Sequence, residues 1–403
     1  MLPRAILLTG YLMTAFGLGL FDIPYYNIAL RAVFVAAAIG FIIIRGARPF
    51  VLGCMMVTIV YIIIIAFFTP YPEFTWEPVI FGLNQVLTVY LFMSVRYNSE
   101  DAARIFAIAS WMPLLMFVVG FVYTLARFHP LFSQTMTGIV RLQGTSIPAF
   151  YAGIAMCGTF AATKMAVHRP QARYVGLVLI NLMILLATGA RMPAAVAIPL
   201  CIILFATSRQ LPAKVKLGFP VFGAVIAGGP LALAAGSLFS RLETGGTSGR
   251  DVMWDYIELL AHDYWWTGVG FMQILYMEFP HEVAVQVNGI TAVHNDFIRL
   301  YAEIGMPGMI LFYSILSIAY LYAANKSGGW RNLPISTLTY IGFLAFSWTD
   351  NAFGTNEYYM LLVLGLLNLE STVPAQRQPE QAVRFRHSWL TQRAFAQRYP
   401  INR

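Results

Sequence analysis

The chain has 403 residues, is 59% hydrophobic and only 11% charged, and carries a formal net charge of +8. A soluble domain holds roughly 25% charged residues, so this composition excludes an ordinary soluble fold. The apolar residues fall in runs of about 17–25 without strict two-residue alternation, which excludes an outer-membrane barrel and predicts an all-α, polytopic membrane bundle.

Twelve transmembrane helices are predicted: Ala5–Phe21, Ile28–Ile44, Phe50–Phe68, Val79–Val95, Ile105–Ala126, Ile147–Val167, Tyr174–Thr188, Met192–Thr207, Leu217–Leu238, Phe297–Ala323, Leu333–Trp348 and Tyr358–Leu369. Arg4 and the run after it read as a retained first span rather than a cleaved signal peptide, because another span follows at once. The nearly continuous run Leu182–Leu204 is split at Thr188-Gly189-Ala190-Arg191-Met192-Pro193, where Gly, Arg and Pro mark a turn. Cys54, Cys157 and Cys201 lie inside apolar runs and read as small core residues. The expected organisation is one integral-membrane domain over residues 1–373, with a large outward loop at about 239–296, then a basic tail over 374–403.

Charge tests the count. With the N-terminus inside and the spans alternating, 19 of the 26 Lys and Arg residues face the cytoplasm, including six in the tail. This asymmetry is what the positive-inside rule requires, and it places both termini in the cytoplasm. It also assigns most of the positive charge to topology, which argues against a nucleic-acid partner. The Arg-rich tail reads as a short amphipathic helix on anionic membrane lipid.

Outward arginines gain nothing from that rule, so each calls for another reason. Arg191, at the turn between spans seven and eight, reads as an anion clamp or as a snorkelling interfacial residue. Arg250 lies in Ser248-Gly249-Arg250-Asp251, a helix-capping pattern. The helix that follows puts Met253, Ile257 and Leu260 on one face, as for a helix lying along the outer leaflet. Its N-terminus and Arg250 together suit a phosphate, although a capped surface helix with a solvated arginine has the same pattern. Arg141 and Arg241 are weaker anion-binding candidates. His294 stands just before span ten, at the bundle mouth, and is a candidate general base. Behind it Arg299 and Glu303 share a helix face, and Gly305, Pro307 and Gly308 permit a bend and close helix contact. Tyr264-Trp265-Trp266 suits either sugar stacking or an interfacial belt. No HExxH, CxxC, P-loop or GxSxG motif is present, and no metal or cofactor is expected.

These residues resemble the O-antigen ligase and polysaccharide polymerase family of bacterial membrane proteins, over roughly Arg141 to Leu369. The likeness rests on Arg141-Leu142-Gln143-Gly144, on Thr188-Gly189-Ala190-Arg191, and on Ser248-Gly249-Arg250 with Trp254 and Gly268-Val269-Gly270. It rests most specifically on His294-Asn295 followed by Gly305 and Gly308 in the H-N-x9-G-x-x-G spacing. Ala190 departs from the pattern, since members often carry Ser there. The resemblance implies an inverting glycosyltransferase of the bacterial inner membrane, facing the periplasm and working without metal. Its donor would be a saccharide on undecaprenyl diphosphate, its acceptor lipid A-core (ligase) or a lipid-linked glycan (O-antigen or exopolysaccharide polymerase). Arg191 and Arg250, with Arg141 and Arg241, would bind the diphosphate, His294 would activate the acceptor, and Asn295, Gly305 and Gly308 would support it. A different class, a lipid-saccharide transporter or flippase using Arg31, Arg299 and Glu303, expects repeats and a midplane site.

Overall fold

Where water is excluded, a helix satisfies its own backbone N–H and C=O groups, and the apolar runs become helices for that reason. The computed structural model describes residues 2–21, 26–134, 140–208, 211, 250–277, 279–280, 293–350, 352–353 and 356–370. In chain order the helices are α1 (Leu2–Ala15), α2 (Tyr26–Arg45), α3 (Pro49–Phe68), α4 (Trp76–Ser94), α5 (Ser99–Leu125), α6 (Pro148–His168), α7 (Ala172–Ala187), α8 (Arg191–Thr207), α9 (Arg250–Asp263), α10 (Asp296–Thr349) and α11 (Asn356–Leu366). Among the described residues, five segments are long and apolar enough to cross a membrane: α2, α3, α5, α6 and the Asp296–Gly329 part of α10. The helices α7 and α8 are apolar but shorter.

Local signals set the ends. Asn98 caps α5 by accepting from the Asp101 N–H at 2.8 Å, and Pro49 and Pro148 stand in the first turns of α3 and α6, where a missing N–H costs nothing. The helix α6 is buried almost throughout and packs against α5, α7, α8 and α11. Its small residues allow this: a Cβ on Gly158 would lie 2.5 Å from Pro113 Cγ. The turn expected between Thr188 and Pro193 is present, with Gly189 at φ 65° joining α7 to α8.

Two expectations change. The bundle is not wholly α-helical: β1 (Phe132–Gln134) and β2 (Val140–Leu142) form an antiparallel hairpin, with Arg141 opposite Ser133. Strand pairing there satisfies loop backbone that no helix covers. The expected spans ten and eleven are present as two helical segments of α10, which leaves helical geometry at Gly305 (φ 71°, ψ 167°) and again between the two segments at Gly329 (φ 59°, ψ −160°). The second break folds the helix back on itself, so that the Ser317 and Tyr340 hydroxyls meet at 2.7 Å and Tyr320 OH donates to the Ser336 carbonyl at 3.1 Å. The second change concerns α9. Met253 and Ile257 are buried as expected, but Ala261 completes the face while Leu260 is half-buried, and the face packs against Val269, Ile274, Val293 and Ala302. Protein, rather than lipid, covers it. The ninth predicted span (217–238), Arg241, the Ser248-Gly249 cap and the basic tail fall outside the described residues.

The break at Gly305 explains the Gly-rich pattern on both sides of it. Pro307 has no N–H, so the Glu303 carbonyl loses its helical partner. The Gly270 N–H replaces it at 2.9 Å, the Val269 N–H donates to Ala302 at 2.8 Å, and the Met306 N–H donates to Trp265 at 2.9 Å. Such backbone-to-backbone approach leaves no room for side chains: a Cβ on Gly268 would stand 2.3 Å from the Glu303 carbonyl carbon, and one on Gly305 2.5 Å from the Trp266 oxygen. Gly305→Ala is therefore expected to cost about 2–3 kcal/mol through strain and steric displacement. Thermal unfolding in detergent should show Tm falling by several degrees. Gly53→Ala, with nothing within 4 Å of its Cβ, should leave Tm unchanged or raised.

Candidate functional site

His294 ends the loop that enters α10. It is one of few non-glycine residues with positive φ (51°), a conformation that costs roughly 1–3 kcal/mol and persists only where surrounding contacts hold it. Those contacts are visible on both sides. Before it, Trp254 Nε1 donates to the Val293 carbonyl at 2.7 Å. After it, Asn295 caps α10, its Oδ1 accepting from the N–H groups of Phe297 at 2.9 Å and Ile298 at 3.2 Å. The imidazole Nδ1 stands 3.0 Å from Asp350 Oδ1, both side chains being partly exposed. A carboxylate only accepts, so it holds the proton on Nδ1 and leaves the Nε2 lone pair available.

Beneath this pair lies a fully buried ion cluster. Arg299 donates to Asp296 Oδ1 from Nε at 3.1 Å and from Nη2 at 2.7 Å, and its Nη1 lies 3.3 Å from Glu303 Oε2. The other Asp296 oxygen accepts the Phe353 N–H at 2.6 Å. The expected Arg299–Glu303 pairing is present, with Asp296 as an additional partner. Both chain segments flanking α10, 270–273 through Glu303 and 352–353 through Asp296, are thereby held to its first turns.

Arg141 and Arg191 both stand at the α7–α8 turn. Arg141 Nε donates to the Thr188 carbonyl at 2.7 Å, which places a guanidinium at the C-terminal end of α7. Arg191 is exposed and opens α8, whose N-terminus has no side-chain cap. An uncapped helix N-terminus beside an arginine is an anion-favouring position.

Packing relates this turn to His294. A Cβ on Gly342 would meet Val196 Cγ1 at 2.7 Å, so α8 and the last part of α10 touch there. At 1.5 Å per residue Val196 lies about 7 Å from Arg191, and Gly342 about 12 Å from Asp350. Thr163 on α6 meets Cys201 on α8 at 3.1 Å and its neighbour Lys164 donates to Asn332 at 3.3 Å, so the later part of α8 lies near the start of this segment of α10. The two therefore run antiparallel, and Arg141, Arg191, His294 and Asp350 belong to the same end of the bundle. The opposite end holds Arg4, Arg45, Arg48, Arg104 and Lys164. Of Arg250 only the backbone is described, at the first position of α9, one turn from Trp254. Asn295 is buried, and its Nδ2 has no hydrogen-bond partner among the described residues. Gly308 packs closely on α3, a Cβ there lying 3.0 Å from the Tyr61 ring.

Asp350 was not singled out from sequence. Its one signal is an acid closing an apolar run, in Trp348-Thr349-Asp350. Its pairing with His294 spans a separation that no local pattern encodes.

A helical bundle with five described segments long and apolar enough to cross a membrane is consistent with a polytopic membrane protein. Residues 176–313 match the model of the O-antigen ligase family (Wzy_C). The match includes Arg191, Arg241, Arg250, His294, Asn295, Gly305 and Gly308. It is narrower than the Arg141–Leu369 range of the motifs, leaving Arg141 and Asp350 outside. No curated protein matches the chain.

The Trp254 bond ties α9 to the His294 backbone. Trp254→Phe keeps the ring and deletes the donor, at a cost of about 1 kcal/mol. Hydrogen–deuterium exchange should then quicken about fivefold in α9 and leave α6 unchanged.

Proposed function

We propose that this chain is a metal-independent, inverting glycosyltransferase of the bacterial inner membrane. It moves a saccharide from undecaprenyl diphosphate to an acceptor hydroxyl at the periplasmic face, and lipid A-core is the acceptor favoured by the histidine pattern. The observation that supports the chemistry best is His294 held by Asp350 at the end of the bundle that also bears Arg141 and Arg191. The acceptor hydroxyl gives its proton to His294 Nε2 as its oxygen attacks the anomeric carbon. The bond from that carbon to the diphosphate oxygen breaks, and its electron pair leaves with the diphosphate. Asp350 stabilises the imidazolium, as a carboxylate does for a histidine base. Arg191 and Arg250, with Arg141 and Arg241, neutralise the leaving group through charge-assisted bonds, and the α8 and α9 N-termini add to that field. The phosphate-linked sugar is already activated, so neither nucleotide nor metal is required.

The basic end of the bundle, around Arg4, Arg45 and Arg104, supports a cytoplasmic position for that end and a periplasmic one for His294. Polymerisation onto a lipid-linked repeat uses the same donor chemistry and differs only in acceptor. A transporter needs its polar residues at the midplane, and the His294 cluster at one end disfavours that reading.

In purified protein given an undecaprenyl-diphosphate glycan, His294→Ala should reduce transfer by about 10²–10⁴-fold. Near-normal turnover would remove His294 from the mechanism. Asp350→Asn should lower kcat by at least about tenfold, with KM for the donor little changed. A fall confined to KM would instead make Asp350 a binding residue. Deletion of the gene, read on glycan gels, separates the acceptors: a ligase leaves long chains on the lipid carrier, a polymerase leaves single repeats or no polymer.

A further inference from the structure

At the end away from His294, α1 and α5 leave an open groove between them. It consists of two clefts of about 320 and 270 Å³, continuous because Leu8, Ala107 and Ile108 line both. Its mouth is ionic and its bore is apolar. Arg4, Asp101 and Arg104 line the mouth, while Leu12, Trp111 and Leu115 line the far part. From Arg104 to Leu115 the bore follows about 16 Å of helix, close to half of a ~30 Å hydrocarbon core.

The mouth carries excess positive charge. Asp101 is buried and accepts from Arg4 at 2.6 Å and from Arg45 at 2.6 Å. Glu100 accepts from Arg4 at 3.2 Å and from Arg104 at 2.7 Å. Three guanidinium groups thus face two carboxylates. Arg104 is half-exposed and donates one N–H to Glu100, and its remaining donors bond no described residue. An exposed guanidinium at the rim of a leaflet-deep apolar bore complements an amphiphile with an anionic head and a single chain in the groove.

We propose that the α1–α5 groove binds one anionic phospholipid, with its phosphate on Arg104 and Arg4 and one acyl chain along Leu8, Ala107 and Trp111. The inference rests on the membrane reading and is independent of glycosyl transfer. Leaflet depth argues for a lipid of the leaflet at this end of the bundle. Burial of the acyl chain supplies affinity, and the net charge of the mouth selects the headgroup.

The test uses the full-length protein, equilibrated with equal amounts of phosphatidylglycerol and phosphatidylethanolamine and examined by native mass spectrometry. The wild type should retain one phosphatidylglycerol in preference to phosphatidylethanolamine. Ala107→Phe fills the groove where the two clefts join and should retain about tenfold less lipid. Leu8→Phe, at an exposed position, serves the same purpose if Ala107→Phe does not fold. Arg104→Gln should keep a lipid but lose the preference. Equal retention of both lipids by the wild type, or undiminished retention in the filled variants, would overturn the proposal. Carbonate extraction of native membranes separates the premises: release of the protein overturns the membrane reading itself, whereas retention without headgroup preference overturns the groove alone.

Discussion

The arrangement at the His294 end depends on one exchange of backbone hydrogen bonds. Gly305 turns α10 out of helical geometry and Pro307 withholds an N–H, so carbonyls that a regular helix would satisfy are left open. The Val269 and Gly270 N–H groups fill them. In an apolar setting an unfilled carbonyl costs far more than the net worth of an ordinary hydrogen bond. The segment Trp265–Gly270 is therefore held to α10. Through Trp254 the same constraint reaches α9, so that the helix beginning at Arg250 and the backbone before His294 are fixed relative to each other.

The buried Asp296–Arg299–Glu303 cluster reinforces this joint. Taking three charges out of water gains little net stability over an apolar core, but removing one of them strands the others. Its effect is geometric. Asp296 holds the Phe353 N–H and Arg299 reaches Met272 and Glu303, so the segment that follows Asp350 and the turn after Gly270 are located from the same few side chains. The His294–Asp350 pair sits directly above, on a backbone whose positive φ is held from both sides. The proposed role of His294 as general base calls for a fixed orientation while charge develops, and this support favours one.

Charge is arranged differently at the two ends. At the His294 end the arginines stand at helix termini, Arg141 against the C-terminal end of α7 and Arg191 at the N-terminal end of α8. At the other end guanidinium groups are matched against Glu100 and Asp101 and gather α1, α2 and α5 together. The first arrangement suits the anionic leaving group of the proposed reaction. The second largely neutralises itself and leaves the residual charge of Arg104 at the groove mouth.

Much of this was legible in the chain itself. Apolar runs longer than a leaflet is deep must become helices, because no alternative satisfies the backbone without water; the turn at Thr188–Pro193, the helix after Arg250 and the Arg299–Glu303 pair followed from period and spacing. Tertiary structure decided what depends on residues far apart in sequence. Asp350 reaches His294 across the folded-back α10, Val269 and Gly270 fill the carbonyls left open by the break at Gly305, and α9 turns its apolar face to Val269 and Val293 instead of to lipid. Sequence periodicity states which face of a helix is apolar and carries no information about what covers it. A residue's spacing likewise fixes its helical neighbours one turn away, while a partner on another element is chosen only by packing.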